Sequence, residues 1–433
     1  MFPRHRAPLT PPARPRQHRP HHPRATLTAS IGAAGLAAAL ALTVSGAPAQ
    51  ASATPRHSAV TAAKATSLGV LPIANGTWAY DGSAAGTWSP VISAYNNIAT
   101  AGHKLTQLFS YATDMEMYCP SNNPAQCTPA DLQSYYTAKS SGFASTLAYY
   151  SDLTLAPSIA SGSTTEKISL SPIIDGRTDT GGYLIGFDQL SQSLAQTYAD
   201  QVAAQVCADP RVDGIQFDIE PFNVSTKNGQ YYFYMQIAKD FAGEHTGSTT
   251  TDPYACVGAG HPQGRYFSVF TFAASIQPGT TSATDVAAFT SAYHNGYVID
   301  SLYDLGSNPA GSLNDLPTYQ TLVTQEADNM KTWAHSQSIP YAFGIPAAAS
   351  AHEYTTCTGT CVAGANGTTG NPMLSYAQEA VAAINGSGAT SDGFFLGTDI
   401  WDLGGSTSTG GANLTPDPAN ADVLNYLATN LPG

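Results

Sequence analysis

From residue 68 onward, apolar runs of strand length alternate with segments whose apolar residues recur at helical spacing. Eight runs read as strands: 68–74, 105–112, 168–175, 212–220, 266–274, 297–304, 339–347 and 393–401. Ser89-Pro90 and Thr128-Pro129 each set a capping residue ahead of a proline at a first helical position. From Phe187 to Cys207, Leu190, Leu194, Tyr198, Val202 and Val206 recur on one helical face, and further helices are expected over 229–243, 284–294, 317–335, 374–385 and 418–431. Eight strand–helix alternations predict an α/β fold, a single parallel (β/α)8 TIM barrel rather than two domains. An open doubly wound sheet is the competitor, but no G-x-G-x-x-G follows the first strand to give it a nucleotide-binding role.

The sequence before residue 68 has a different character. Six arginines and no acid or lysine precede the apolar stretch "LTASIGAAGLAAALALTVSG", and small residues follow in "APAQASA". Residues 1–53 therefore read as a secretory signal with a long basic front, 54–67 as a flexible Ala/Ser/Thr-rich linker and 68–433 as the barrel domain. A retained membrane anchor is the alternative for the apolar stretch, and the absence of an Arg-Arg pair argues against twin-arginine export. The expected mature product is a secreted, extracellular monomer that makes no use of a membrane once its signal is gone.

Charge narrows the partners. Without its first 53 residues the chain keeps 11 of 17 basic residues against 30 acids, a formal charge of −19. No basic face remains for nucleic acid, and a surface rich in Ala, Gly, Ser, Thr and Tyr suits uncharged polar ligands. Six cysteines in an exported chain predict disulfides; spacing favours Cys119–Cys127 and Cys357–Cys361 as loop staples, leaving Cys207–Cys256. No cofactor and no metal is expected: the cysteine spacings are irregular, and His352-Glu353 has no second spaced histidine.

The chemistry concentrates in "VDGIQFDIEPF", 212–222. Side chains alternate across a strand, so Ile215, Phe217 and Ile219 share one face while Gln216, Asp218 and Glu220 share the other. In a barrel the apolar face lies under the helices, the polar face lines the lumen, and Glu220 comes last, at the carboxyl end where active sites of this fold gather. Gly214 leaves room deeper in the barrel. A neighbouring carboxylate and partial burial both favour a protonated Glu220, as a general acid requires. The same acids could instead hold a backbone turn or a cation.

These residues resemble a known family. "DGIQFDIE" is similar to the D-G-x-D-x-D-x-E signature of glycoside hydrolase family 18, the chitinases and endo-β-N-acetylglucosaminidases, and it falls on the fourth expected strand. "DSLYD" (300–304) resembles that family's sixth-strand element at Tyr303 and Asp304, and "GTDIW" (397–401) sets Trp401 where the family has a tryptophan floor for sugar. Gln216 stands where chitinases have an aspartate, and "ISLSPIIDG" lacks their S-x-G-G.

The resemblance implies cleavage of β-1,4 bonds at N-acetylglucosamine residues, in chitin, chito-oligosaccharides or N-glycan cores, by a substrate-assisted retaining route. Catalysis is then expected from Glu220 as acid/base, from Asp218 orienting the 2-acetamido group and from Tyr303 hydrogen-bonding it. Gln216, Asp304 and Trp401 are expected to bind substrate. Gln216 can donate to Asp218 but cannot share a proton with it. Read without the resemblance, Tyr303 could cap the core, Asp304 could cap a helix and Trp401 could be a core residue. Tyr111, Asp114 and Glu116, after the second strand, either line the cleft or belong to a polar loop. Two rival functions are a non-catalytic N-acetylglucosamine-binding barrel and a two-carboxylate retaining glycosidase of another barrel family.

Overall fold

Parallel strands alternate with helices, and the sheet they build closes on itself. In the computed structural model the described residues are 70–79, 92, 95–117, 132–134, 169–177, 187–210, 212–220, 222–244, 252–303, 305, 316–347, 373–401 and 421–433. The expected signal, the linker, Ser89-Pro90, Thr128-Pro129, His352, Glu353, Asp304 and four of the cysteines lie outside them.

The strands are β1 (Asn75–Ala79), β2 (Leu105–Met117), β3 (Leu132–Ser134), β4 (Ser169–Arg177), β5 (Gly214–Glu220), β6 (Tyr266–Thr271), β7 (Gly296–Ser301), β8 (Tyr341–Pro346) and β9 (Phe395–Trp401). Parallel pairings run β1-β2-β4-β5-β6-β7-β8-β9, and β9 pairs back to β1. The result is the α/β barrel that the alternation predicts, with β3 added antiparallel to the end of β2.

The helices are α1 (Gln192–Cys207), α2 (Gly229–Phe241), α3 (Thr281–Ser291), α4 (Leu316–Gln337), α5 (Met373–Ser387) and α6 (Ala421–Asn430). Local chemistry starts three of them. Ser191, Asn228 and Thr280 each sit in extended backbone and accept an N–H from the first turn with a side-chain oxygen. Ser191 also splits the expected 187–207 segment into a short 3-10 turn, Phe187–Gln189, and α1 proper.

The first strand departs from expectation. The apolar run 68–74 is not β1, which begins at Asn75. Leu71 is instead buried in a cluster with the lumen residues Phe109, Tyr266 and Tyr297, with Val70 and Ile73 packed against it. The part of the run from Val70 to Ile73 is apolar because it plugs the amino-terminal end of the barrel. Strand geometry begins where the Asn75 amide ties down both neighbours, accepting from Thr398 N and donating to Gly102 O.

Two apolar layers result. Between sheet and helices, Phe217 of β5 meets Phe233 and Tyr234 of α2 and Phe267 of β6, with ring centroids 5.3, 5.7 and 6.4 Å apart. Each such ring, fully buried, contributes on the order of 2–3 kcal/mol. Inside the barrel, Trp78, Phe109, Ile173, Tyr266, Tyr297, Ile299, Ala342 and Leu396 form the second layer. Gly214 makes space there: a Cβ would lie 2.3 Å from the Tyr266 ring. Below it, Gln107 Nε2 donates to the hydroxyls of Tyr266 and Tyr297, and Ser169 Oγ lies 2.7 Å from the Tyr266 hydroxyl. Gln107, Ser169, Tyr266 and Tyr297 thus form one hydrogen-bonded network across the floor of the lumen. At the same end, Cys207 at the close of α1 is joined to Cys256, as spacing suggests, with Cα atoms 4.7 Å apart.

Candidate active site

The fourth barrel strand, β5, carries its residues as the alternation requires. Ile215, Phe217 and Ile219 are buried in the sheet–helix layer, while Gln216 and Asp218 face the lumen, 1 % and 7 % exposed. In register with β4, Ile173 pairs with Gln216, Asp175 with Asp218 and Arg177 with Glu220. Glu220 is the last residue of β5. Its side chain, like those of Tyr111, Asp114 and Glu116 on β2, lies outside the described part, as does Asp304 entirely.

Gln216 has an unexpected partner. Trp78, on the lumen side of β1, donates its indole N–H to Gln216 Oε1 at 2.7 Å, and both residues are 1 % exposed. An indole N–H can only donate, so the amide must turn its oxygen toward β1. The bond between Gln216 and Asp218 that the sequence allows is not the one the side chain makes here.

From Trp78 an aromatic group extends around the carboxyl end of the barrel. Its ring lies 5.1 Å from Phe109, stacked, and 5.6 Å edge-on from Trp401, the last residue of β9. Trp401 stacks in turn on Tyr303 at 5.5 Å and 23°. Tyr303 sits just past β7, where Ser301 Oγ accepts its N–H and donates to its carbonyl. Gly344 of β8 holds the space between the rings: a Cβ there would be 3.1 Å from Trp78 and 3.3 Å from Tyr303. The structure thus brings Gln216, Tyr303 and Trp401 into one contact chain through Trp78. Only Trp401 of that chain is partly open to solvent.

The electrostatics are those of a dry site. Burial first, and the Asp218 charge second, push the Tyr234 phenol of α2 well above its usual range. Asp399 of β9 is fully buried beside Gly76, and burial raises its carboxyl well above the carboxylate range, against the Gly76 N–H that favours the charged form. Asp300, in the sixth-strand "DSLYD", lies on the other side of its strand. Burial and the Glu326 carboxylate of α4 push it well above the carboxylate range, and Glu326 Oε1 accepts the Ala273 N–H at 2.8 Å.

Asp213, the first acid of "DGIQFDIE", is at the opposite mouth of the barrel. It pairs with His261 at 3.0 Å beside a cavity of about 340 Å³ lined also by Ser169, Gln263 and Tyr266. Trp78 and Asp399 are the lumen residues that reading the sequence missed. Neither the turn-like "NGTWAYDG" nor the apolar "GFFLGTDIW" carries a periodicity that shows which side chain faces inward.

No family model matches the sequence, and no curated protein aligns with it significantly. Solved structures superpose on it at low identity. An endo-β-1,4-glucanase from Xanthomonas axonopodis pv. citri superposes with a TM-score of 0.48 at 12 % identity, over 82 % of this chain and 98 % of that one. A family 18 chitinase from Pseudoalteromonas aurantia gives 0.40 at 13 %, over 79 % and 97 %. The catalytic domain of a family 18 chitinase from the fern Peteris ryukyuensis gives 0.40 at 14 %, over 79 % and 96 %.

Proposed function

We propose that the chain is an exported glycoside hydrolase that cleaves β-1,4 bonds at N-acetylglucosamine residues without metal or cofactor. One observation carries the reading: β5 presents Gln216 and Asp218 to the lumen, with Glu220 as the next position of that alternation, beside the Trp78–Trp401–Tyr303 aromatic group. A pyranose offers an apolar face and a rim of hydroxyls, and aromatic rings next to carboxyl groups match both.

In the mechanism, the carbonyl oxygen of the substrate's own 2-acetamido group attacks C1 while the glycosidic C1–O bond breaks. Glu220 gives its proton to the departing oxygen. The resulting oxazolinium carries positive charge next to Asp218, whose carboxylate stabilises it and orients the acetamide. Tyr303 hydrogen-bonds the acetamide from the other wall, and Trp401 floors the sugar. Water then attacks C1 as the C1–O bond of the oxazolinium breaks and the acetamide re-forms; Glu220 takes the proton of the water, and the configuration is retained. Nucleophile and electrophile belong to one molecule, so no entropy is lost in bringing them together.

Mass spectrometry of products from chito-oligosaccharides, a high-mannose glycopeptide and cello-oligosaccharides, with wild type and Glu220→Gln, tests the reading. Cleavage at N-acetylglucosamine by wild type alone supports it. Binding of chito-oligosaccharides without turnover would make the chain a lectin-like barrel, and cleavage of the cello-series alone would remove the acetamido mechanism.

A further inference from the structure

We propose that Trp78 is a positioning residue for this reaction: its indole N–H locks the Gln216 amide in one orientation, so that only N–H groups face Asp218 and the substrate. The inference rests on the glycosidase reading above and adds to it a residue from the opposite side of the lumen. Three observations carry it.

First, Trp78 Nε1 donates to Gln216 Oε1 at 2.7 Å, and neither residue is more than 1 % exposed, so water does not compete for the bond. Second, the indole is held from two sides, by Phe109 at 5.1 Å and Trp401 at 5.6 Å, and lies against Gly344. It cannot swing to follow the amide. Third, Gln216 makes no other hydrogen bond among the described residues. What remains of its amide is an NH2 group on the lumen face that carries Asp218 two residues on.

The reverse orientation would set N–H against N–H at Trp78 and a carbonyl beside a carboxylate at Asp218. Both contacts are repulsive in a buried setting. Trp78 and Gln216 therefore act as one unit that offers hydrogen to any acceptor beside it and accepts nothing. N–H groups turned toward the face that carries Asp218 favour its carboxylate over its protonated form, which is the poorer acceptor. Nothing in the unit can take up a proton from Asp218 and return it. The other titratable positions around Asp218 are Glu220 on its own strand, Asp175 in register on β4 and Tyr234 of α2 behind the sheet.

The test is kcat/KM on chitopentaose from pH 4 to 9 for wild type, Trp78→Phe, Gln216→Leu, the double variant and Gln216→Glu. Trp78→Phe keeps a buried ring but leaves Oε1 without a donor. It is expected to lower kcat/KM about tenfold, mostly in kcat, and to move the acid limb upward by about half a pH unit. Gln216→Leu is expected to lose at least as much, and the double variant no more than Gln216→Leu alone, because the two residues act together. Gln216→Glu keeps an acceptor for the indole but sets a second carboxylate beside Asp218, so its acid limb should move furthest.

A Trp78→Phe profile that superimposes on wild type, or losses that multiply in the double variant, would overturn the inference and leave the glycosidase reading standing. A wild type that cleaves no N-acetylglucosamine oligosaccharide overturns both. If Trp78→Phe shows no thermal transition, Gln216→Leu and Gln216→Glu decide: matching acid limbs overturn the proposal.

Discussion

Asp240 of α2 allows a prediction that does not depend on function. Its carboxyl is fully buried between α1 and α2, where Gln236 Nε2 donates to Asp240 Oδ1 at 2.9 Å and to Asp200 Oδ1 at 3.0 Å. Burial first, then the Asp200 carboxylate, push Asp240 up to about 8 from 3.8, against the Gln236 bond and Lys239, which lower it. The folded chain therefore holds a proton that the unfolded chain releases above about pH 4. Because the folded value is the higher one, this group's contribution is fully present below pH 4 and is lost as pH rises through about 8. Each pH unit in that window costs up to about 1.4 kcal/mol, and the whole window at most about 5–6 kcal/mol. Relaxation of the site reduces this, and a net loss of about 2–4 kcal/mol is expected.

Asp240→Asn carries its own hydrogen to Asp200 and still accepts from Gln236. The variant should match wild type near pH 4.5 and melt higher at pH 8, by about 3–5 °C for a chain of this size. Circular dichroism melts at fixed scan rate from pH 4.5 to 8.5 measure this directly. Parallel wild-type and variant curves across that range would refute a proton held on Asp240.

Other expectations follow from the same structure. Asp300→Asn should likewise flatten the pH dependence, because its amide can donate to Glu326 without a bound proton; a wild-type slope in that variant would contradict the placement. Gly344→Ala adds a Cβ 3.1 Å from Trp78 and 3.3 Å from Tyr303. It should lower stability by about 1–3 kcal/mol in urea melts and depress turnover more than folding, since it displaces the site rings. Trp401→Ala removes the ring stacked on Tyr303, and about a tenfold rise in KM for oligosaccharides is expected, read from initial rates.

How far the sequence discloses the molecule depends on where alternation survives. β5 is legible because its outer face is Ile215, Phe217 and Ile219 and its inner face is Gln216 and Asp218, so a two-residue period separates core from lumen. β7 is buried along its whole length and β9 as far as Ile400, and no polar period marks their inner face. That is why Asp300 and Asp399, each part of a short motif, could not be told apart: one lies behind its strand against Glu326, the other in the lumen against Gly76. β1 is harder still. Its lumen positions are Gly76 and Trp78, too few to show a period, while the more apolar run ahead of it is a plug rather than a strand. Trp78 is legible only once β1 and β5 face each other across the barrel, since its partner Gln216 is 138 residues away in sequence. Tyr303 and Trp401, by contrast, end up ring to ring where strand ends alone suggested a common mouth.

The central claim is that the sugar's own acetamide, oriented by Asp218, attacks C1 while Glu220 protonates the departing oxygen. An N-acetylglucosamine thiazoline reproduces the cyclised intermediate in a stable form, and its inhibition of chito-oligosaccharide hydrolysis measures that claim most directly. The account expects competitive inhibition far tighter than by N-acetylglucosamine itself, and loss of thiazoline binding, read by calorimetry, in Asp218→Ala. Hydrolysis that proceeds undisturbed by the thiazoline, with a glycosyl group trapped on an enzyme carboxylate, would contradict it.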